Sequence, residues 1–124
     1  MSEKSEKVGI IFLGCRHEIV ADDNEQVAEV FRRTLVRRSY DVSVAVNGDE
    51  LLRSFRQRPS DAAIVDIEMP VKDGLEAIGE LRAESRSVVI GAVSGSGNKS
   101  SLALERGADA SRCRRRGSSP VWRN

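Results

Sequence analysis

Three aspartates and a serine have the residue types and spacing for shared chemistry. Asp22 and Asp23 are adjacent, Asp66 opens the run Asp66, Ile67, Glu68, Met69, Pro70, Val71, Lys72, Asp73, Gly74, and Ser94 precedes Gly95. Each group follows a short apolar run: Ile19 to Ala21, Ala62 to Val65 and Val88 to Val93. Carboxylates gathered at one point repel, each pair at about 4 Å costing about 4 kcal/mol at an effective dielectric of 20. A divalent cation offsets this, and a few hard carboxylate oxygens with retained waters describe a magnesium site better than a zinc or copper site. Taken singly, an aspartate after a strand reads as a terminator or a helix cap, and Asp23 fits the second role. Three acids and a hydroxyl at the ends of three apolar runs instead point to one common site.

The elements that must position these residues alternate along the chain. After Ile19 to Ala21, the apolar residues Val27, Val30, Phe31 and Leu35 recur at helical spacing. Val42, Val44 and Val46 alternate as in a strand before the Asn47, Gly48 turn, and Leu51, Leu52 and Phe55 mark a second helix closed by Pro59. Ala62 to Val65 is followed by a loop and the helix face Leu75, Ile78, Leu81; Val88 to Val93 is followed by a weaker helix around Leu102 to Glu105. Four strand–helix units in series predict an α/β fold with a parallel sheet, because parallel strands need crossovers and these are right-handed. Strands buried on both faces read as unbroken apolar runs. In such sheets ligand chemistry gathers at the carboxyl ends of the strands, so the architecture brings residues from three strands to one edge.

At 124 residues and 13.6 kDa the chain fits one domain, and 40% hydrophobic with 31% charged residues describes a soluble globular protein. Five of its 20 Lys and Arg residues fall in 112–124, which holds no acid, leaving 15 basic against 19 acidic residues in the rest. A uniformly basic nucleic-acid-binding domain is thereby excluded, though a basic appendage is not. Cys15 and Cys113 form no CxxC pair or Cys/His cluster, which argues against a zinc site or disulfide scaffold. Val8 to Leu13 is too short to span a membrane, and Glu3 and Glu6 argue against reading Leu13, Gly14, Cys15 as an export signal, so a cytoplasmic location is expected.

The Asp22, Asp23 pair, the Asp66 to Gly74 loop, Ser94 with Gly95, and Gly107, Ala108, Asp109 ahead of a fifth-strand position together resemble the receiver domain of two-component response regulators. The resemblance covers about Ile19 to Asp109. It implies a flavodoxin-like, doubly wound parallel sheet in the order 2-1-3-4-5, a sensor histidine kinase or phosphotransfer protein as phosphodonor, and a downstream effector as partner. Asp66 matches the phosphoacceptor. Asp22 and Asp23 match the acids that hold Mg²⁺, with Asp66 and the backbone carbonyl of Glu68 as further ligands. Ser94 matches the hydroxyl that bonds a phosphoryl oxygen. The position of Glu68 faces the phosphoryl group in this family and affects how water reaches it, so an added charge there bears on acyl-phosphate lifetime. Phosphoryl transfer needs in-line positioning and cancellation of charge on equatorial oxygens, which a cation and a few donors supply.

The carboxyl end departs from the pattern. Counting from Gly107, the family's aromatic, lysine and proline positions fall on Ser111, Arg114 and Arg115. Arg114 offers a cation, but a planar guanidinium is not equivalent to a flexible ammonium. The run Arg112 to Arg116 is not expected to form a strand buried on both faces, nor the remaining residues a full fifth helix. A sheet without them would expose an edge and an apolar surface, inviting a homodimer or partner docking. The expected divisions are an extension over 1–14, a receiver domain over 15–111 and a basic tail over 112–124. His17 reads as a surface residue, and Lys72 and Asp73 as solvated loop. The competing function is a pseudo-receiver that binds protein without being phosphorylated. Two other readings, an aspartyl phosphatase and nucleic-acid binding through the arginine tail, would be separated by steady phosphomonoester turnover and by salt-dependent binding. No membrane partner is expected.

Overall fold

A computed structural model describes residues 17–95 and 99–113. The elements alternate as β1 (His17–Ala21), α1 (Glu25–Arg37), β2 (Asp41–Ala45), α2 (Gly48–Gln57), β3 (Ala62–Asp66), α3 (Gly74–Glu84), β4 (Val89–Ser94), α4 (Ser100–Arg106) and β5 (Ala110–Cys113). The five strands pair in parallel in the order β2-β1-β3-β4-β5, the expected doubly wound sheet. Side chains leave the strands alternately. Ile19, Val65 and Ile90 pack with Leu51, Ile78 and Leu81 of α2 and α3, whereas Val20, Ile64 and Val93 share the opposite face with Ala28 and Leu35 of α1.

The helices start where the sequence supplies side-chain acceptors. Asn24 Oδ1 accepts from the amides of Gln26 and Val27 at 3.0 and 3.2 Å, Asn47 Oδ1 from Glu50 at 2.8 Å, and Asp73 Oδ1 from Glu76 at 2.9 Å. Asn24 therefore caps α1, not Asp23. Asp73 is a cap rather than plain solvated loop, and Lys72 is substantially covered, pairing with Asp49 at 3.4 Å and with Glu80.

Two expectations about the strands are corrected. The first strand begins two residues earlier than Ile19 and buries His17 and Glu18. His17 is not a surface residue: its Nδ1 donates to the Pro59 carbonyl at 3.3 Å, and its Nε2 shares a hydrogen bond of 2.8 Å with Ser43 Oγ. A fifth strand does form. Its four residues align Gly91 with Ala110 and Val93 with Arg112, and it carries the sheet two residues past the expected boundary at Ser111. It tolerates Arg112, which is only half-buried, because among the described residues it is an edge strand. Val8 to Leu13, Cys15, Arg114 and the position of a fifth helix lie outside the described residues.

Glu18 is fully buried on the α1 side of the sheet, and its carboxylate oxygens have no hydrogen-bond partner among the described residues. Burial pushes its carboxyl from 4.5 up to about 8. Below 4.5 both folded and unfolded chains hold this proton. Between 4.5 and 8 only the folded chain does, so its contribution to stability falls as pH rises through that window and levels off above it. Glu18→Met is expected to remove this fall and to stabilise the protein at pH 8 by about 4 kcal/mol. Urea unfolding of both proteins at pH 5, 6.5 and 8 measures it; parallel pH profiles would contradict it.

Candidate functional site

Parallel pairing puts the carboxyl ends of β1, β3 and β4 on one edge of the sheet. The Asp22 amide donates to the Ala45 carbonyl at 2.9 Å, holding the first residue after β1 against the end of β2. Asp22 is buried, and its Oδ1 accepts from the Asn24 amide at 2.9 Å; Asp23 beside it is exposed. Asp66 is the buried last residue of β3, and the next amide, Ile67, donates to the Val93 carbonyl at 2.9 Å. One carboxylate oxygen from each of Asp22, Asp23 and Asp66 lies within 4.8 Å of the others. Ser94, fully buried, ends β4.

The loop between β3 and α3 is pinned at both ends. The Gly74 amide donates to the Ile67 carbonyl at 2.8 Å, folding the chain back on itself so tightly that a Cβ on Gly74 would lie 2.2 Å from the Asp66 carbonyl oxygen. The Gly48 amide at the start of α2 donates to the Lys72 carbonyl at 3.2 Å, and a Cβ there would lie 2.7 Å from that oxygen. Within the loop, the Glu68 amide donates to Asp66 Oδ1 at 3.2 Å. The Glu68 side chain crosses to β4: Ser94 Oγ donates to Oε1 at 2.9 Å and the Gly95 amide donates to Oε2 at 3.0 Å.

The structure thus gathers Asp22, Asp23, Asp66, Glu68 and Ser94. Arg114 lies outside the described residues, and His17 is at the opposite end of β1 from Asp22. The Glu68 carboxylate contact was not legible beforehand. Its partners are 26 and 27 residues away, and only the Asp66 to Val93 register places the two loops side by side. The donor set fits a hard divalent cation: bonds of about 2 Å put opposite ligands about 4 Å apart, near the observed spread of the three acids. Two of the three acids are buried, where their mutual repulsion is least screened by water, which strengthens the fit.

No helix among the described residues is long and apolar enough to cross a membrane. The transcriptional regulatory protein PrrA of Mycobacterium tuberculosis is 36% identical over 93 residues, which cover 73% of this chain and 40% of PrrA. Response regulator GtcR of Aneurinibacillus migulanus is 38% identical over 72 residues, 58% of this chain and 30% of GtcR. The chain spans less than half the length of these curated relatives. Among solved structures, response regulator TrrA of Thermotoga maritima, in complex with Mg²⁺ and beryllofluoride, superposes with a TM-score of 0.75 at 29% identity, covering 82% of this chain and 89% of TrrA. A response regulator of Burkholderia pseudomallei with a phosphorylated aspartic acid and a calcium ion gives 0.72 at 31% identity, covering 77% of this chain and 58% of that one. The family model of the response regulator receiver domain matches residues 19–111, the span that contains all five gathered side chains. With that match joined to the 2-1-3-4-5 sheet and its acidic edge, the chain belongs to the response regulator receiver domain family.

Proposed function

We propose that Asp66 accepts a phosphoryl group from a phosphohistidine of a sensor kinase or phosphotransfer protein, and that the modified domain signals to an effector. The observation that carries this reading is the convergence of Asp22, Asp23 and Asp66 within 4.8 Å at one edge of the sheet. An Asp66 oxygen attacks phosphorus as the bond to the imidazole nitrogen breaks, and the imidazole leaves with the electron pair. The buried position of Asp66 fixes the attacking oxygen, while the exposed neighbours Asp23 and Glu68 leave the mouth open to a donor. Asp22 and Asp23, with Asp66 and the backbone carbonyl of Glu68, would hold Mg²⁺; the ion supplies charge neutralisation for the transferring group. The Ser94 hydroxyl and the Gly95 amide would donate to phosphoryl oxygens. TrrA with its Mg²⁺ and beryllofluoride, and the Burkholderia relative with its phosphorylated aspartic acid, support the same assignment here. The family is one of signalling domains, and the only catalysis proposed is of the domain's own phosphorylation and dephosphorylation.

Incubation with acetyl phosphate and Mg²⁺ is expected to add one phosphoryl group, seen by intact mass. The adduct should vanish without Mg²⁺ and in Asp66→Asn. A folded wild-type protein with no adduct, or an adduct that survives in Asp66→Asn, would contradict the reading.

A further inference from the structure

The Glu68 carboxylate occupies the donors that the proposed reaction needs. A serine hydroxyl has one proton to donate and a backbone amide has one. The Ser94 proton is given to Glu68 Oε1 at 2.9 Å and the Gly95 proton to Oε2 at 3.0 Å. A phosphoryl oxygen on Asp66 cannot accept from either donor until the carboxylate lets go. Glu68 is itself an exposed residue, so a released carboxylate has water to receive it, whereas Ser94 is fully buried and its hydroxyl proton would then be able to turn to the incoming group. The backbone of Glu68 need not move with its side chain, since its amide is separately tied to Asp66 Oδ1.

We propose that Glu68 is an internal stand-in for the phosphoryl group: its carboxylate latches the Ser94 hydroxyl and the Gly95 amide in the unmodified protein and must swing out to solvent when Asp66 is phosphorylated. The inference rests on the reading of Asp66 as phosphoacceptor and adds a regulatory element to that site. The latch makes phosphorylation slower than the acidic site alone would, and it gives the Ser94 hydroxyl and the Gly95 amide a covered state and a released state. No covalent bond of Glu68 changes. With acetyl phosphate as donor, the Asp66 oxygen bonds to phosphorus, the P–O bond to acetate breaks, and acetate leaves with the electron pair.

Two substitutions separate occupancy of the donors from charge. Glu68→Ala removes both acceptors. Glu68→Gln removes the same charge but keeps one carbonyl oxygen to accept from one of the two donors. With acetyl phosphate and Mg²⁺, the rate constant of adduct formation is expected to rise about tenfold in Glu68→Ala, the equivalent of one charge-assisted hydrogen bond no longer broken, and about threefold in Glu68→Gln. Equal rates in the two variants would assign the effect to charge and overturn the latch, as would a Glu68→Ala rate no higher than wild type. The Gly95 amide resonance, recorded without donor or metal, reports the contact independently. It should move upfield in Glu68→Ala, and an unmoved resonance overturns the latch. A moved resonance with no adduct in any variant overturns instead the phosphoacceptor reading, and the displacement step with it.

Discussion

Replacing Arg82 by methionine is expected to destabilise the fold by about 3 kcal/mol, enough to lower the midpoint of thermal unfolding by roughly 10–15 °C in a domain of this size. Arg82 lies on α3, and its guanidinium joins three elements. Nε donates to the Gly107 carbonyl at 2.9 Å, one terminal nitrogen to the Val88 and Arg86 carbonyls at 2.8 and 2.9 Å, and the other to Asp109 Oδ2 at 2.7 Å. The Arg82 to Asp109 ion pair is mostly covered, with side-chain exposures of 21% and 13%. Asp109 Oδ2 in turn accepts from the Ile90 amide at 2.9 Å, and the Asp109 amide donates to the Ile90 carbonyl at 2.8 Å. Methionine would fill much of the space but remove the Arg82 donors from the Asp109 carboxylate and from the Gly107, Val88 and Arg86 carbonyls, and a covered carboxylate that loses its cation costs more than the pair contributed. Arg82→Lys should recover little, because one ammonium with three protons cannot reach all the acceptors the planar fork serves. The loss should concentrate at β5: exchange of the Ser111 amide should accelerate more than that of Ile64 at the centre of the sheet. A midpoint within 3 °C of wild type would contradict this.

Gly74→Ala is expected to cost about 2–4 kcal/mol and to slow phosphorylation of Asp66 by about a hundredfold. The new Cβ would meet the Asp66 carbonyl oxygen at 2.2 Å and the Ile67 Cα at 2.5 Å, both backbone atoms that cannot rotate away. The relief available is to shift the segment that carries the proposed nucleophile, and misplacement of a reacting group by about 1 Å is enough for a loss of that size. Gly79, on the same helix α3, is the matched control: a Cβ there meets nothing within 4 Å. Gly79→Ala should instead stabilise the helix by about 0.5–1 kcal/mol and leave the rate unchanged. Urea titration and the acetyl phosphate assay on the two variants measure both effects. Equal behaviour of the two alanines would refute the loop's role in setting Asp66.

The residues of the acidic edge were legible because each ends an apolar run, and in a parallel sheet the ends of such runs share an edge whatever the detail of the loops. Asp22, Asp66 and Ser94 follow directly from Ile19 to Ala21, Ala62 to Val65 and Val88 to Val93. The same rule of apolar runs concealed the start of β1, since His17 and Glu18 are polar yet buried. His17 is satisfied by Ser43 and Pro59, which are brought near only by the β1–β2 pairing and the end of α2. It also concealed β5, whose sequence Ala110, Ser111, Arg112, Cys113 carries little strand signal. That strand is held by its ladder with β4, and the residue before it is tied to α3 by the Arg82 to Asp109 contact across 27 residues. The helix starts show a finer limit. Asn24, not its acidic neighbour Asp23, caps α1, a choice made by one residue of backbone geometry, and Asp73 caps α3 rather than lying in plain loop.

Asp22, Asp23 and Asp66 are expected to share one divalent ion. Titration with Mn²⁺, whose unpaired electrons broaden nearby amide resonances, tests it without any phosphodonor. The amides of Asp22, Asp23, Asp66 and Glu68 should broaden together and saturate at one ion per chain, and Asp22→Ala should weaken that binding by at least tenfold while Glu29→Ala on α1 leaves it unchanged. Broadening that spreads over the acidic helix starts without saturating, or that persists at full affinity in Asp22→Ala, would contradict it.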